Sequence, residues 1–254
     1  MISDFYTFKN LKSYETIMHV VTKKSSKESN FFSLALHTGE NESEIIKNRT
    51  KLSQILKNDK ELNFIVAKQT HSSHVEVVRS NTSRGWNSLD DAIEDCDALI
   101  TNLKGVALTV LTADCVPILL YDRKKEVIAV VHAGWRGTKE QIVSKTIEKM
   151  FEEFGSLAKD IVAGIAPSIG ACCYEVGDDV AKHFLNIENA YVKKNSKYML
   201  DLPTINKNQL LSSGLKEENI EMSNICTACE VSSFFSYRKE AGCSGRFMSI
   251  IALV

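Results

Sequence analysis

The chain alternates between short, almost continuously apolar runs and segments in which apolar residues recur at helical spacing. The apolar runs predict strands that are covered on both faces. These runs are NFIVAKQ, VEVVR, VALTVL, PILLYD, EVIAVVHA, DIVAGIA and RFMSIIALV. Helical spacing predicts one helix over residues 41–57, with Asn41 as its N-cap, and a second that begins at Thr138. Thr138 and Gln141 have the spacing of a capping box, and the second apolar stripe stops at Gly155.

The order of these elements predicts an α/β (α+β) fold with a mixed β-sheet core flanked by helices, because strands and helices are interleaved along the chain. The chain has 254 residues, of which 44% are hydrophobic and 25% charged, as in ordinary globular proteins. It contains no internal repeat or low-complexity tract, and three prolines are too few to mark a linker. We therefore expect a single domain over residues 1–254.

Charge and cysteine content limit which binding partners and which cellular compartment we expect for the protein. Thirty-one basic residues against 32 acidic ones give a formal charge of -1, which creates no field that would favour nucleic acid or an anionic membrane. No apolar stretch reaches the length of a membrane span, and the N-terminal MISDFYTFKNLK resembles neither a secretory nor a transit peptide. Seven cysteines, an odd number, are then expected as reduced thiols in a cytoplasmic protein, and the sequence leaves the oligomeric state open.

Polar residues interrupt or end three of the apolar runs. His71 follows NFIVAKQ, Cys115 separates VALTVL from PILLYD, and His132 lies near the end of EVIAVVHA. Zinc takes histidine nitrogen and cysteine thiolate as ligands, and a catalytic zinc keeps three protein ligands. The three residues are far apart in sequence and form no local metal motif, so a cysteine buried as a small hydrophobic residue is the alternative.

The turn HAGWRGT after the third run has the composition of an anion site. Gly134 and Gly137 allow a tight turn, and Arg136 could hold phosphate or carboxylate beside the N-terminus of the helix expected from Thr138. A surface ion pair for Arg136 and a core position for Trp135 are the alternative interpretation.

Six blocks of the sequence carry a family resemblance: QTHS, DALIT, TADCVPILLYD, HAGWRGT, PSIGACCYEVG and FFSYRKEAGCSGR. In that order they resemble the signature blocks of the YfiH-like family, whose members are also labelled multicopper polyphenol oxidoreductase or laccase-domain proteins. The resemblance implies a single α/β domain and a Zn²⁺ ion held by His71, Cys115 and His132. It further implies phosphorolysis of adenosine, inosine and methylthioadenosine to the free base and ribose 1-phosphate, with adenosine deamination as a second reaction.

The laccase label fits the residues poorly. The chain has six histidines, fewer than the mononuclear and trinuclear copper sites of a multicopper oxidase require together. Zinc is therefore the expected metal, with copper as the alternative that the label suggests. Purine nucleoside and phosphate are the expected ligands. The preferred nucleoside stays open, because the chain departs from the family pattern at LALHTGEN and KKSSKES.

Further site residues are predicted from the same blocks. Asp114 could orient Cys115 or act as a base, or could only cap a turn, and His74 could contact substrate or lie on the surface. Tyr237, Arg238 and Arg246 suit base stacking and phosphate binding, with an exposed ion-pair cluster as the alternative. The predicted catalytic residues are Cys115, Asp114 and Arg136, and the predicted substrate-binding residues are Gln69, His74, Gly134, Arg136, Tyr237, Arg238 and Arg246.

The remaining cysteines have less defined expectations. Cys172 and Cys173 are expected in a pocket wall, beside a glycine that allows close approach. Cys226 and Cys229 form a CxxC pair, which could be redox-active or bind a second zinc, but lone Cys243 is the nearest candidate partner in sequence. In a second class of function, Cys115 is the nucleophile of a cysteine hydrolase with a histidine base, acting on peptidoglycan fragments. A non-enzymatic metal-binding partner protein is the third.

Overall fold

The structure is a computed structural model that describes residues 5–57, 61–195, 197–242 and 245–254. Within these ranges the α-helices are α1 (Lys9–Lys12), α2 (Glu42–Leu56), α3 (Trp135–Lys139), α4 (Ile142–Phe154), α5 (Asp178–Ala181) and α6 (Leu202–Ser212). Short 3-10 turns cover Ser29–Phe32, Ala158–Asp160 and Glu217–Asn219. The strands are β1 (Ile17–Val21), β2 (Asn63–Ile65), β3 (Val75–Val77), β4 (Ala98–Thr101), β5 (Val106–Thr112), β6 (Val116–Asp122), β7 (Val127–Ala133), β8 (Ile161–Ile165), β9 (Glu175–Val176), β10 (Tyr191–Lys194), β11 (Lys197–Leu200), β12 (Ile220–Met222) and β13 (Phe247–Leu253).

The strands form two large mixed sheets and one small antiparallel sheet. The larger sheet has the order β12-β8-β6-β7-β4-β3, the second β1-β13-β5-β2, and the small one β10-β11-β9. Both large sheets combine parallel and antiparallel pairs; β4 pairs parallel with β3 and antiparallel with β7, for example. Mixed sheets flanked by helices confirm the predicted α/β fold class.

The hydrophobic core lies in three layers, one on each side of the sheet pair and one between the sheets. Between the sheets, Leu108 and Phe247 of the four-stranded sheet belong to the same cluster as Leu119 and Val130 of the six-stranded one. A second cluster joins the outer face of the six-stranded sheet to α4 and α6. The third joins the outer face of the other sheet to α2. Every residue of β5, β6, β7 and β13 is buried, which explains why these runs are continuously apolar.

The helix over residues 41–57 is confirmed as α2, and the Asn41 side chain caps it by accepting from the backbone N–H of Ser43 at 3.0 Å and of Glu44 at 3.3 Å. Gly155 ends α4 in the left-handed conformation, as its position after the apolar stripe predicts. None of the helices in these ranges has both the length and the apolar character needed to span a bilayer.

The predicted helix start at Thr138 is wrong. Thr138 lies inside the short helix α3, and the chain breaks at Gln141, whose φ of 58° is left-handed, before α4 begins at Ile142. Thr138 forms no capping box, because its hydroxyl instead accepts a hydrogen bond from Asn206 of α6 at 3.0 Å. Packing of α6 against this turn therefore overrides the local capping signal.

Candidate metal centre

His71, Cys115 and His132 come together at one end of the two large sheets. His132 lies in β7, Cys115 in the link that passes from β5 in one sheet to β6 in the other, and His71 in the loop between β2 and β3. Their ligand atoms all lie within 4.8 Å of one another. We call these three residues the His/Cys cluster.

The distances within the His/Cys cluster suit a single zinc ion. The Cys115 sulfur lies 3.8 Å from Nε2 of His71. Zinc bond lengths of about 2.3 Å to sulfur and about 2.0 Å to nitrogen place two such donors about 3.5 Å apart in a tetrahedral site. Two imidazoles and a thiolate are also a donor set that zinc prefers, so the residues fit the metal that the family resemblance implies.

Gly134 allows this close approach. A Cβ atom at this position would lie 2.9 Å from Cδ2 of His71 and 3.2 Å from the sulfur of Cys115. Its predicted role was substrate binding, whereas its observed contacts are with two members of the His/Cys cluster. The absence of a side chain here makes room for the donor atoms to converge.

Asp97 supports the cluster from behind and was missed by sequence reasoning. Its Oδ1 lies 2.6 Å from Nδ1 of His132 and accepts from the backbone N–H of His71 at 3.1 Å. Its Oδ2 accepts from the backbone N–H and the hydroxyl of Ser72, both at 2.7 Å. This carboxylate leaves Nε2 of His132 as the atom that faces the other donors. The available signal was the acidic first residue of DALIT, directly before the buried strand β4.

Electrostatics couple the three groups. Burial raises the pKa of Cys115, but the charge of His132 and hydrogen bonds from His132 and His71 outweigh burial and lower this pKa to about 6. Burial lowers the pKa of His132, whereas the Cys115 thiolate and the hydrogen bond to Asp97 raise it to about 9. Burial raises the pKa of Asp97, and its hydrogen bond with His132 lowers it to about 2. The thiol is therefore prepared to ionise at neutral pH.

A cleft of about 510 Å³ opens above the His/Cys cluster. Besides the cluster itself, its lining includes aromatic and basic side chains, namely Trp135, Tyr174, Tyr237, Arg238, Arg246 and His37. The guanidinium of Arg238 lies 5.1 Å from the ring centre of Tyr174, and that of Arg246 lies 5.8 Å from the ring centre of Tyr237. The cleft therefore combines flat apolar surfaces with two cations, and Tyr237, Arg238 and Arg246 from the FFSYRKEAGCSGR block all line it.

Gln69 and Asp114 also line the cleft, but their polar groups are engaged by the protein. The Gln69 amide both donates to and accepts from the backbone of Leu111, at 2.9 and 2.8 Å. The buried Asp114 carboxylate accepts from the Thr227 hydroxyl at 2.6 Å and from the backbone N–H of Arg238 at 2.7 Å. These contacts favour the structural interpretation of Asp114, which anchors two loops at the cleft.

Besides Gly134, two predicted residues do not belong to the cleft lining. His74 is exposed, and its Nδ1 lies 2.9 Å from a carboxylate oxygen of Asp95. Arg136 is exposed on α3, where its guanidinium lies 4.9 Å from the ring centre of Trp135. This placement agrees with a surface position for both, so a role for Arg136 in phosphate binding stays a prediction.

Outside the His/Cys cluster, three ring-bearing side chains of the lining were not predicted as substrate contacts. His37 comes from LALHTGEN, the stretch where the chain departs from the family pattern. Trp135 was considered a core residue. Tyr174 follows the two cysteines of the PSIGACCYEVG block; burial, and then the nearby Cys115 thiolate, raise its pKa to about 12. Its hydroxyl is therefore neutral and can donate a hydrogen bond.

Comparisons with known proteins identify the family of this chain. A family model described as multi-copper polyphenol oxidoreductase laccase matches residues 18–254. Purine nucleoside phosphorylase YlmD of Bacillus subtilis is 34% identical over 96% of this chain and 91% of its own length. Adenosine deaminase RL5, from an unknown prokaryotic organism, is 37% identical over 72% of each chain. The crystal structure of the Bacillus licheniformis hypothetical protein YfiH superposes with a TM-score of 0.90 and 30% identity, covering 99% of this chain and 100% of that one. The chain therefore belongs to the multi-copper polyphenol oxidoreductase laccase family and is an enzyme.

Proposed function

We propose that the protein is a zinc-dependent purine nucleoside phosphorylase that also deaminates adenosine. The observation that carries this proposal is the convergence of His71, Cys115 and His132 at the floor of a cleft lined by aromatic rings and two arginines. The names of its relatives, purine nucleoside phosphorylase and adenosine deaminase, support the same substrate class.

The His/Cys cluster would hold Zn²⁺ through Nε2 of both histidines and the sulfur of Cys115. When bound, zinc supplies Lewis acidity and lowers the pKa of water in its coordination sphere to roughly 7. Asp97 fixes the ring of His132 through Nδ1, so that the other nitrogen is held toward the metal. Because a thiolate and a neutral imidazole are the ligand forms, Cys115 and Nε2 of His132 would give up their protons when they hold the ion.

Phosphorolysis requires phosphate beside the anomeric carbon and a place for the departing base. Arg238 and Arg246 line the cleft and can hold the phosphate oxygens with charge-assisted hydrogen bonds. The rings of Trp135, Tyr174 and Tyr237 offer surfaces on which a purine can stack. An oxygen of hydrogen phosphate forms a bond to the anomeric carbon while the glycosidic carbon–nitrogen bond breaks, and the proton that the phosphate loses ends on the nitrogen of the departing base.

A cysteine hydrolase is the second candidate, and one observation favours it. Cys115, His132 and Asp97 have the order of a nucleophile, a base and a carboxylate that orients the base. A triad of that kind needs one histidine, however, whereas the sulfur of Cys115 is also 3.8 Å from Nε2 of His71. The second imidazole therefore favours a metal ligand over a nucleophile.

A base-release assay with and without phosphate tests the main proposal. Release of adenine, hypoxanthine or methylthioadenine should require phosphate and form ribose 1-phosphate, and elemental analysis should find zinc in the His/Cys cluster. Arg246→Ala should raise the KM for phosphate by at least about tenfold, because a charge-assisted contact is lost, while deamination, which consumes water, falls less. Arg136→Ala tests the other predicted phosphate contact in the same assay, and an exposed Arg136 outside the cleft lining should change the KM for phosphate less than Arg246 does. Equal loss of both reactions in Arg246→Ala, or base release that is independent of phosphate, would contradict the phosphate site.

Alkylation of Cys115 distinguishes the phosphorylase from the hydrolase, because Cys115 is a metal ligand in the first and a nucleophile in the second. As a ligand, Cys115 should be protected from iodoacetamide by zinc, and zinc should support activity. In Cys115→Asp, a carboxylate can still bind zinc, so we expect partial metal binding and residual nucleoside cleavage. Rapid labelling of Cys115 in the zinc-loaded protein, with activity that rises when zinc is removed, would favour the hydrolase.

A further inference from the structure

We propose that Cys172, Cys173, Cys226 and Cys229 form a second metal site, which binds one soft divalent cation of the zinc class through four thiolates. These residues, which we call the cysteine cluster, share no member with the His/Cys cluster. The proposal does not depend on the nucleoside chemistry above. In this site, the further ligands that the CxxC pair needs are the adjacent cysteines of the PSIGACCYEVG block, which lie far away in sequence. Cys243, the partner considered from sequence, lies outside the described residues.

The sulfur positions suit a mononuclear tetrahedral site. All four Sγ atoms lie within 4.8 Å of one another. The sulfur of Cys229 is 3.6 Å from that of Cys172 and 3.5 Å from that of Cys173. With zinc–sulfur bonds of about 2.3 Å, tetrahedral geometry separates sulfur atoms by about 3.8 Å. Small movements of the side chains would therefore admit the ion. Ligands of a multi-iron cluster would have to lie further apart.

The backbone holds the two cysteine-bearing loops together. Ser168 and Cys226 form a parallel bridge, in which Ser168 donates to Ile225 at 3.2 Å and Thr227 donates back to Ser168 at 3.0 Å. The backbone N–H of Gly170 also donates to the sulfur of Cys226 at 3.3 Å. Such an N–H···S contact stabilises a thiolate ligand in the way that outer hydrogen bonds do at metal sites. The cluster is thus held in place by main-chain contacts on both loops.

The arrangement favours a metal over a disulfide. A disulfide joins two sulfur atoms, whereas here Cys229 contacts two neighbouring thiols and Cys226 completes a group of four. Four neutral thiols can lie this close, and a soft cation among them would stabilise all four as thiolates by displacing their protons. Four protein ligands would also leave no open position, which is the coordination of a structural zinc.

A metal here would brace the wall of the cleft. Thr227 lies between Cys226 and Cys229, and its hydroxyl donates to Asp114 at 2.6 Å. On the other loop, the backbone N–H of Ile169 donates to the carbonyl of Asp114 at 2.9 Å. Since Asp114 precedes Cys115, the cysteine cluster and the His/Cys cluster are connected through one buried residue. Metal binding at the cysteine cluster should therefore order the loops on which the first cluster depends.

Metal stoichiometry under reducing conditions tests the proposal with Zn²⁺ and Co²⁺ as probes. The wild-type protein should bind two equivalents of Zn²⁺. The double variant His71→Ala, Cys115→Ala removes two ligands of the first cluster and should bind one. With Co²⁺, that variant should show the intense thiolate-to-cobalt charge-transfer bands of a tetrahedral four-sulfur site. Adding Cys226→Ser and Cys229→Ser to that double variant should abolish binding of the remaining equivalent of Zn²⁺. The control is Cys96→Ser in the otherwise wild-type protein, which replaces a buried thiol outside both clusters and should still bind two equivalents.

Cysteine mapping in the wild-type protein covers the case in which a variant fails to fold. Zinc should protect Cys172, Cys173, Cys226 and Cys229 together from alkylation, and chelation should expose all four. A natively folded His71→Ala, Cys115→Ala variant that binds no Zn²⁺ would overturn the proposal. So would a disulfide between two of the four cysteines in freshly purified protein, or zinc that fails to protect them. None of these results would alter the test of phosphate-dependent base release, so failure of this proposal and failure of the proposed function are distinguishable.

Discussion

The His/Cys cluster and the cysteine cluster are both groups of convergent soft donors, but they are built differently. The first combines two nitrogens with one sulfur, offers three ligands, and lies at the floor of the cleft. The second offers four sulfurs, and Cys172 and Cys229 are exposed. Three ligands leave a coordination position for substrate or water, whereas four close the site. Ligand number and surroundings, more than the presence of cysteine, therefore distinguish a centre for chemistry from a structural one.

The groups that hydrogen-bond to the ligands also differ between the two clusters. A charged residue, Asp97, binds the ring of His132 and the loop of His71 at the first cluster. At the cysteine cluster, the corresponding contact is a neutral backbone N–H from Gly170. A carboxylate orients an imidazole and raises its basicity, while a backbone N–H only stabilises thiolate charge. Each support matches the ligand type it serves.

Cys115→Ala and Cys229→Ala should give the largest contrast between the clusters. Cys115→Ala removes the only sulfur donor of the first cluster, so we expect phosphorolysis to fall on the order of a thousandfold or more. Cys229→Ala should keep activity within about tenfold of wild type but lower the thermal midpoint, because a metal bound only to the folded state no longer stabilises it. Steady-state base release and thermal unfolding with and without added zinc provide the two measurements. Comparable activity in both variants would remove the functional distinction between the clusters.

Asp97→Asn should produce the next largest effect. The amide has nearly the same shape but carries no charge, so His132 loses the partner that fixes its ring and tautomer. We expect zinc affinity at the first cluster to fall about 10–100-fold, as for other outer carboxylates, with no change at the cysteine cluster. Competition with a chromophoric chelator would measure both affinities in the same sample. An equal decrease at both clusters would instead mean that Asp97 acts through general stability.

Much of the fold could be predicted from sequence, because burial on both faces of the sheets leaves a continuous apolar signal. The strands β5, β6, β7 and β13 all coincide with such runs. The failure at Thr138 has the opposite cause: its hydroxyl is taken by Asn206, a residue that local patterns cannot bring near. The sequence also did not predict that consecutive strands such as β5 and β6 belong to different sheets. Strand pairing depends on contacts between residues that are distant in sequence.

The residues of the candidate site also fall into those that local sequence could indicate and those that it could not. Residues in unusual local contexts, such as His132 before GWRG, could be singled out, and a family resemblance tied them to His71 and Cys115. The contact of Asp97 with His132 and the grouping of the four cysteines both join loops that are distant in sequence. Residue spacing along the chain therefore could not predict them. His37 illustrates a third case, in which a departure from the family pattern contributes a residue to the cleft lining.

Metal release should be biphasic, because the two clusters differ in exposure. A mercurial that attacks thiols should remove zinc from the cysteine cluster first, since Cys172 and Cys229 are exposed whereas Cys115 is partly covered. We expect the two phases to differ about tenfold in rate, and activity to follow the slower one. Zinc release read with a dye, with activity sampled at the same times, tests this order. Loss of activity in the fast phase would show that catalysis at the first cluster depends strongly on the metal at the cysteine cluster.

The smallest effect should come from adding one methyl group beside each cluster. In Gly134→Ala the new Cβ would lie 2.9 Å from Cδ2 of His71 and 3.2 Å from the sulfur of Cys115, so the ligands must move apart. We expect a loss of about 1–3 kcal/mol in unfolding free energy, as for other overpacked sites, and a several-fold loss of zinc affinity. Gly170→Ala is the matched control, because its Cβ would meet the sulfur of Cys172 no closer than 3.5 Å, and its effect should stay within about 0.5 kcal/mol. Urea unfolding and zinc competition measure both quantities. If Gly170→Ala were the more damaging of the two, the cysteine cluster would be the more tightly packed, and the contrast drawn between the clusters would have to be reversed.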